Sequence, residues 1–294
     1  MNKILIIGFG SIGERHFKIL NKIVEDIKII TNRKIKNLNI IKFTSSDILK
    51  FNPDYIIISS STENHYKHLK KINKIVSNKV ILIEKPLFAK KIKNNIALNN
   101  KVFVGFNMRF NPIIIYLKKY FSQKNKVALT VNLYCGSYLP NWRKNIPYSK
   151  SSSASATGGG VIKDLSHEID FLSWIFGDIK IKNIDSLKLS NLKIQSKDFA
   201  NISGFCKKTY FNMMLNYFSR LDHRYLIIDC NKETIHVDLI NKNIRFYKDK
   251  NARTISLKFH RNKSYQLMHE SILKNDFSNL CSYNQAIKYL KIYG

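Results

Sequence analysis

The chain is poor in cysteine, in acid and in long apolar runs, and each shortage excludes a class of protein. Four cysteines, Cys135, Cys206, Cys230 and Cys281, are scattered through 294 residues without a C-x-x-C pair. That spacing gives neither a disulfide framework nor a zinc site, and it suits a reducing cytoplasm. No run of about 18 apolar residues occurs, so no transmembrane helix is expected. The first apolar run ends in glycines without a small-residue cleavage site, which reads as a buried strand and not a signal peptide. Acids are outnumbered, with 20 Asp plus Glu against 50 Lys plus Arg and a formal charge of +30. The basic residues are spread over nearly every segment and no DNA- or RNA-binding motif is present. Neither nucleic acid nor a membrane is therefore expected as a partner. The positive field favours small anions such as nucleotides or phosphorylated sugars.

What is present suffices for real cores: 44% hydrophobic and 12% aromatic residues in a length that allows two domains. Up to residue 105, short apolar runs at 3–7, 27–31, 55–59, 80–83 and 102–104 alternate with helical patterns, notably 14–24 and 65–76. Such alternation predicts a parallel sheet covered on both faces. A linking helix is expected from Asn111-Pro112 to about residue 120. Beyond it, 126–139 alternates as a strand, "SSSASATGGG" is loop, and 161–176 is apolar at helical spacing. Residues 181–259 hold successive strands of period two, and 265–293 one or two helices. The expected fold is α/β. Its parts are an N-terminal Rossmann doubly wound parallel sheet over 1–120 and a C-terminal α+β domain with an open, mostly antiparallel sheet over 121–294.

The opening stretch, MNKILIIGFGSIGERH, places G-x-G-x-x-G between a strand and a helix, as a dinucleotide site requires. Gly8 permits the turn, Gly10 lets the backbone approach a pyrophosphate, and Gly13 lets helix and strand pack. The N–H groups of the first turn, from Ser11 and Ile12 onward, then face the anion. The second strand ends in Thr31-Asn32-Arg33-Lys34 with no acid to hold ribose hydroxyls. Arg33 and Lys34 suit a 2′-phosphate, so NADP is preferred over NAD. Two further strand ends, with Ser60, Thr62 and His65 in one and Glu84-Lys85-Pro86 in the other, stand where open α/β sheets bind ligands. Asp164, His167 and Asp170 are spaced i, i+3, i+6, as one helical face would have them. One histidine and two carboxylates on one helix make a thin ligand set, so no metal is expected.

With these motifs the chain resembles the Gfo/Idh/MocA family of NAD(P)-dependent oxidoreductases. The resemblance rests on G-x-G-x-x-G followed by Arg15-His16, on E-K-P, on VGFNMRFNP, and on the "GGG…D…HEID…W…G" stretch. It implies a Rossmann domain and a second domain whose open sheet walls the substrate site and forms an oligomer interface, as a homodimer or homotetramer. It implies that Lys85, before a cis Pro86, contacts the reacting hydroxyl or carbonyl, and that Asp164 and His167 complete the catalytic set. One residue fewer than usual separates Asp164 from His167. Asn107, Arg109 and Tyr66 are expected to border the cleft, and 138–150 to form a lid with Trp142 and Arg143 against a sugar. The implied activity is hydride transfer at a hydroxyl or keto carbon of a sugar or nucleotide sugar in surface-glycan biosynthesis, in the cytoplasm. A cofactor-retaining glycosidase, with cleavage and no net change in NADPH, and a non-catalytic cofactor-binding sensor remain open.

Overall fold

The computed structural model describes residues 1–92, 96–143 and 146–293. In chain order, β1 (Lys3–Ile7) leads into α1 (Ser11–Leu20), β2 (Asp26–Ile30), α2 (Ser45–Phe51), β3 (Tyr55–Ile58), α3 (Thr62–Ile75), β4 (Val80–Ile83) and β5 (Lys101–Val104). There follow α4 (Pro112–Phe121), β6 (Ala128–Tyr138), α5 (Val161–Asp164) and α6 (His167–Phe176). Next are β7 (Ile179–Leu187), β8 (Phe199–Cys206), β9 (Thr209–Asn216), β10 (Phe218–Cys230), β11 (Thr234–Asp238), β12 (Asn243–Lys248) and β13 (Asn251–Ser256). The order closes with α7 (Lys263–Leu273), β14 (Cys281–Ser282) and α8 (Tyr283–Tyr289). Among the described residues no helix is long and apolar enough to cross a membrane.

The chain divides into two units: Met1–Phe110 with the segment from Asn262 onward, and Asn111–Arg261. The first holds a six-stranded sheet in the order β14-β5-β4-β3-β1-β2, parallel except for the short β14 on β5. Its central strands, KILII, YIII and VILI, are buried almost throughout. Cover on both faces explains why they read as continuous apolar runs instead of alternating ones. The chain moves from β1 outward to β2, then returns to place β3 on the other side of β1. This reversal opens a crevice at the carboxyl ends of β1 and β3, where such sheets bind nucleotides.

The domain boundary differs from the expected one. It falls at 110/111, and the segment from Asn262 packs with the first unit although the sequence places it in the second. Cys281 pairs with Val104 across β14 and β5, and α7 packs on α1 and on the turn Asn107–Phe110. These contacts are separated by well over 150 residues in sequence, so no local pattern announces them.

The second unit carries an eight-stranded sheet, β13-β12-β11-β10-β6-β9-β8-β7, antiparallel except where β6 lies parallel to β9. One face, with Val131, Leu133, Phe211, Met213 and Leu226, is buried, and α5 and α6 pack over the sheet at β8. The opposite face leaves Leu129 and Tyr210 exposed. The continuous helical pattern of 161–176 breaks in two. Leu165 closes one turn by donating to the carbonyl of Val161, then leaves helical geometry at φ −97, ψ 27. The next helix restarts after Ser166.

Asp198, buried between β7 and β8, accepts hydrogen bonds from the Leu189 N–H (2.7 Å), the Ser190 hydroxyl (2.6 Å) and the Lys188 ammonium (2.9 Å). Burial pushes its carboxyl upward, but Lys188, Ser190 and the backbone donors outweigh burial and hold it below the ordinary carboxylate range. A depressed folded value means that the stabilisation is present above the unfolded value near ~3.9 and is lost as pH falls through the folded one. Asp198→Asn is expected to lower the melting temperature at pH 7 by about 3–10 °C. The gap to the wild type should narrow as melts are repeated below about pH 4. A constant gap down to pH 3 would contradict the assignment.

Candidate functional site

The glycine floor is built at the switch point of the first unit. β1 runs into Gly8, whose φ of +95 an L side chain rarely adopts and whose N–H donates to the Ile30 carbonyl at 2.9 Å. A Cβ on Gly8 would stand 2.5 Å from the Ser60 backbone, and one on Gly13 would stand 2.2 Å from the Gly8 carbonyl oxygen. These two glycines therefore serve close packing of turn, helix and strand. Gly10 is different: a Cβ there meets nothing within 4 Å. It stands at the N-cap of α1, where no side chain caps the helix and the first-turn N–H groups of Ser11, Ile12 and Gly13 have no intrahelical acceptor. An open, uncapped helix start at the carboxyl end of a parallel strand fits a pyrophosphate. Ser59, which the sequence reading passed over, locks the turn by donating to the Gly8 carbonyl at 2.8 Å.

At the end of β2, Thr31 Oγ1 accepts from the Arg33 N–H at 3.1 Å, and Asn32, Arg33 and Lys34 are exposed. Ser60 hydrogen-bonds His68 Nδ1 at 2.9 Å, and Thr62 opens α3. His65 departs from the expected cofactor contact. Its ring is buried, with Nε2 3.0 Å from the Ser60 carbonyl and Nδ1 3.2 Å from both the Pro86 and Leu87 carbonyls. It braces the turn after β3 against the turn after β4. Glu84 also turns inward: Oε1 lies 2.9 Å from His16 Nε2, and Oε2 accepts from the Lys85 N–H at 3.2 Å. Lys85 is half-buried and precedes Pro86 through a cis peptide.

Asn107 and Arg109, expected at the cleft, are buried within the first unit. Asn107 donates to Ser264 Oγ at 2.7 Å, and Arg109 Nη1 donates to the Leu280 carbonyl and to Gln285 Oε1, both at 3.2 Å. They fasten the segment from Asn262 to the turn after β5. Tyr66 packs edge-on against Phe88.

In the second unit, Asp164 ends α5 and His167 begins α6, so the single helical face read from their spacing does not form. Asp170 is wholly buried. The structure gives Asp164 a partner that sequence does not announce: the Tyr217 hydroxyl donates to Oδ2 at 2.5 Å. Burial, then the Asp164 charge, pushes that phenol well above its ordinary range. Trp142 packs edge-on against the Tyr217 ring, with centroids 5.3 Å apart, and donates from Nε1 to Ser137 Oγ at 2.8 Å. Asp164, Tyr217 and Trp142 thus form one cluster at the base of the expected lid. Arg143 is exposed, and residues 144 and 145 of that loop lie outside the described residues. Among the described residues no group of three His, Cys, Asp or Glu could hold a metal ion.

A parallel sheet with an open, uncapped glycine turn at its switch point defines a dinucleotide-binding fold. Residues 2–102 match the GFO_IDH_MocA family model, described as an oxidoreductase family with an NAD-binding Rossmann fold. The match covers about the first third of the chain and falls on the stretch that carries the glycine motif and E-K-P. Comparison with curated proteins gives no match. Among solved structures, UDP-N-acetylglucosamine 3-dehydrogenase GnnA from Acidithiobacillus ferrooxidans is 16% identical with a TM-score of 0.78, covering 99% of this chain and 95% of that one. The WlbA dehydrogenase from Bordetella pertussis, solved with NADH and UDP-GlcNAcA, is 14% identical at 0.78, covering 99% and 93%. A super-repressor mutant of Gal80p from Saccharomyces cerevisiae is 12% identical at 0.80, covering 100% and 94%. At these identities the likeness establishes the fold and leaves activity to the site.

Proposed function

We propose that the protein is an NAD(P)-dependent dehydrogenase or reductase acting on a CH–OH group of a sugar or nucleotide sugar, with NADP preferred. The observation that carries this reading is the open, uncapped start of α1 at Gly10, within a stretch that matches an oxidoreductase family. Gly8, Gly10, Ser11, Ile12 and Gly13 would hold the pyrophosphate, and Ser60 and Thr62 would border it. Exposed Arg33 and Lys34, with no acid at the end of β2, suit a 2′-phosphate. When bound, the nicotinamide supplies hydride acceptance or donation.

The chain's own residues handle the proton. His167 supplies an imidazole, a group that can take a hydroxyl proton or return it. Lys85 presents an ammonium that polarises the reacting oxygen. Asp164, held by Tyr217, and Trp142, braced on the same ring, would orient a sugar by hydrogen bond and stacking. Two of the similar structures are dehydrogenases named for, or solved with, UDP-sugars, which supports a nucleotide sugar; surface-glycan biosynthesis in the cytoplasm is the setting proposed for it. The exposed face of the eight-stranded sheet, with Leu129 and Tyr210 outward, is the surface proposed for a homodimer or homotetramer.

Fluorescence titration with NADPH and NADH tests the reading, followed by absorbance assays over a panel of UDP-sugars and keto sugars. NADPH is expected to bind more tightly. Arg33→Ala should lose about 10-fold or more of that preference, the scale of one charge-assisted phosphate contact. Absence of affinity for both nucleotides would end the reading. Tight binding with no turnover would favour the sensor, a role for which Gal80p shows that a regulator can carry this fold.

A further inference from the structure

Four side chains in the interior of the first unit form a single file of hydrogen bonds that the proposed chemistry does not use. Glu84 Oε1 lies 2.9 Å from His16 Nε2, and His16 Nδ1 lies 2.8 Å from His269 Nε2. His269 Nδ1 then lies 3.0 Å from the Tyr55 hydroxyl. His16, His269 and Tyr55 are wholly buried and Glu84 nearly so. The file joins four elements: the end of β4, α1, α7 and β3. Its far end is the other oxygen of Glu84, which accepts from the Lys85 N–H.

Proton placement along the file is self-consistent. A carboxylate only accepts, so His16 Nε2 donates to Glu84. With neutral imidazoles, His269 Nε2 donates to His16 Nδ1, and the Tyr55 hydroxyl donates to His269 Nδ1. Every member is then satisfied, which a buried polar network requires. Burial, with the neighbouring His16, holds His269 well below the ordinary imidazole range, so it stays neutral. Burial and then the Glu84 charge push the Tyr55 phenol far up, so it keeps its proton.

We propose that His269 is a positioning residue for Lys85, holding the Glu84 carboxylate through His16 and so fixing the turn that carries the lysine. This rests on the reading of Lys85 as the group that meets the reacting oxygen. It also gives the segment from Asn262 a task in the site: α7 supplies the third link of the file. Groups that orient a reacting side chain from behind are worth about 10–100-fold when removed.

The test uses the full chain with His269→Phe, His269→Gln and Tyr55→Phe. The first readout is the rate at which an amine-reactive reagent labels Lys85, followed by peptide mass mapping, with exposed Lys18 on α1 as internal control. His269→Phe is expected to change the Lys85 rate at least threefold and leave the Lys18 rate unaltered. His269→Gln, whose amide can donate and accept, should stay nearer the wild type. The second readout is kinetic: kcat falls about 10-fold or more while KM and the nucleotide Kd change less than threefold. Wild-type labelling of Lys85 in a folded His269→Phe overturns the proposal. If that variant does not fold, Tyr55→Phe decides: loss of the hydroxyl that meets His269 Nδ1 should shift the Lys85 rate, and wild-type labelling of Lys85 in a folded Tyr55→Phe overturns the proposal. If no substrate is turned over by the wild type, the proposed activity fails by itself, and the labelling of Lys85 still decides the role of His269.

Discussion

Replacing Lys85 by Met, or His167 by Ala, is expected to lower kcat/KM by about 10²–10⁴ while NADPH still binds. The range is what a positioned proton donor or acceptor contributes. The Kd should hold because neither change touches the floor: Gly8 and Gly13 are fixed by backbone packing, and α1 is open at Gly10. His167, the first residue of α6, belongs to the other unit, so its loss leaves the nucleotide unit intact. Lys85→Arg should recover little, since a planar fork does not reproduce a compact ammonium at a single oxygen. The assay is NADPH absorbance with the best substrate of the panel, alongside a binding titration for each variant. Unchanged turnover removes that residue from the mechanism. A parallel loss of nucleotide affinity would move Lys85 from proton handling to cofactor binding.

Sequence reading succeeds here where the physics is local. A strand that ends in G-x-G-x-x-G before a helix leaves few conformations open, and continuous apolar runs announce strands covered on both faces. Asn111-Pro112 marks its helix start because Asn111 accepts from the Ile113 N–H and Pro112 needs no donor. The failures are non-local. Spacing places Asp164 on the face of His167, but a turn closed at Leu165 separates them, and the residue missing between the two gave the one local hint. Asn107, Arg109, Glu84 and His65 are polar residues near a presumed cleft, which sequence cannot tell from polar residues inside a unit. Each is buried with named partners. Arg15-His16 was visible as a motif, but the role of His16 depends on His269, 253 residues away. Tyr217, one more aromatic in a strand-rich stretch, becomes notable only beside Asp164.

The same distinction bears on Glu168, which sequence reads as an acid on a helix and the structure places wholly inside the second unit. Its Oε1 lies 2.7 Å from Arg224 Nε on β10, an ion-pair contact without the alignment of a good hydrogen bond. Burial works against the Arg224 charge, but the Glu168 carboxylate more than offsets it, and the guanidinium stays charged. Arg224 pairs in register with Cys135 on β6, whose thiol burial and the Glu168 charge push well up. Removing the cation alone leaves a carboxylate buried without a counter-charge. Arg224→Met is therefore expected to destabilise the unit by about 3–5 kcal/mol, about 6–20 °C in melting temperature. Glu168→Met with Arg224→Met should recover most of the loss, because two apolar side chains need no pairing. Thermal melts of the single and double variants at pH 7 measure the deficit and its recovery. Because α6 begins at His167, loosening Glu168 should also depress turnover before it affects nucleotide binding, which belongs to the other unit. A single variant that melts within about 2 °C of the wild type would mean that the buried pair contributes nothing to stability.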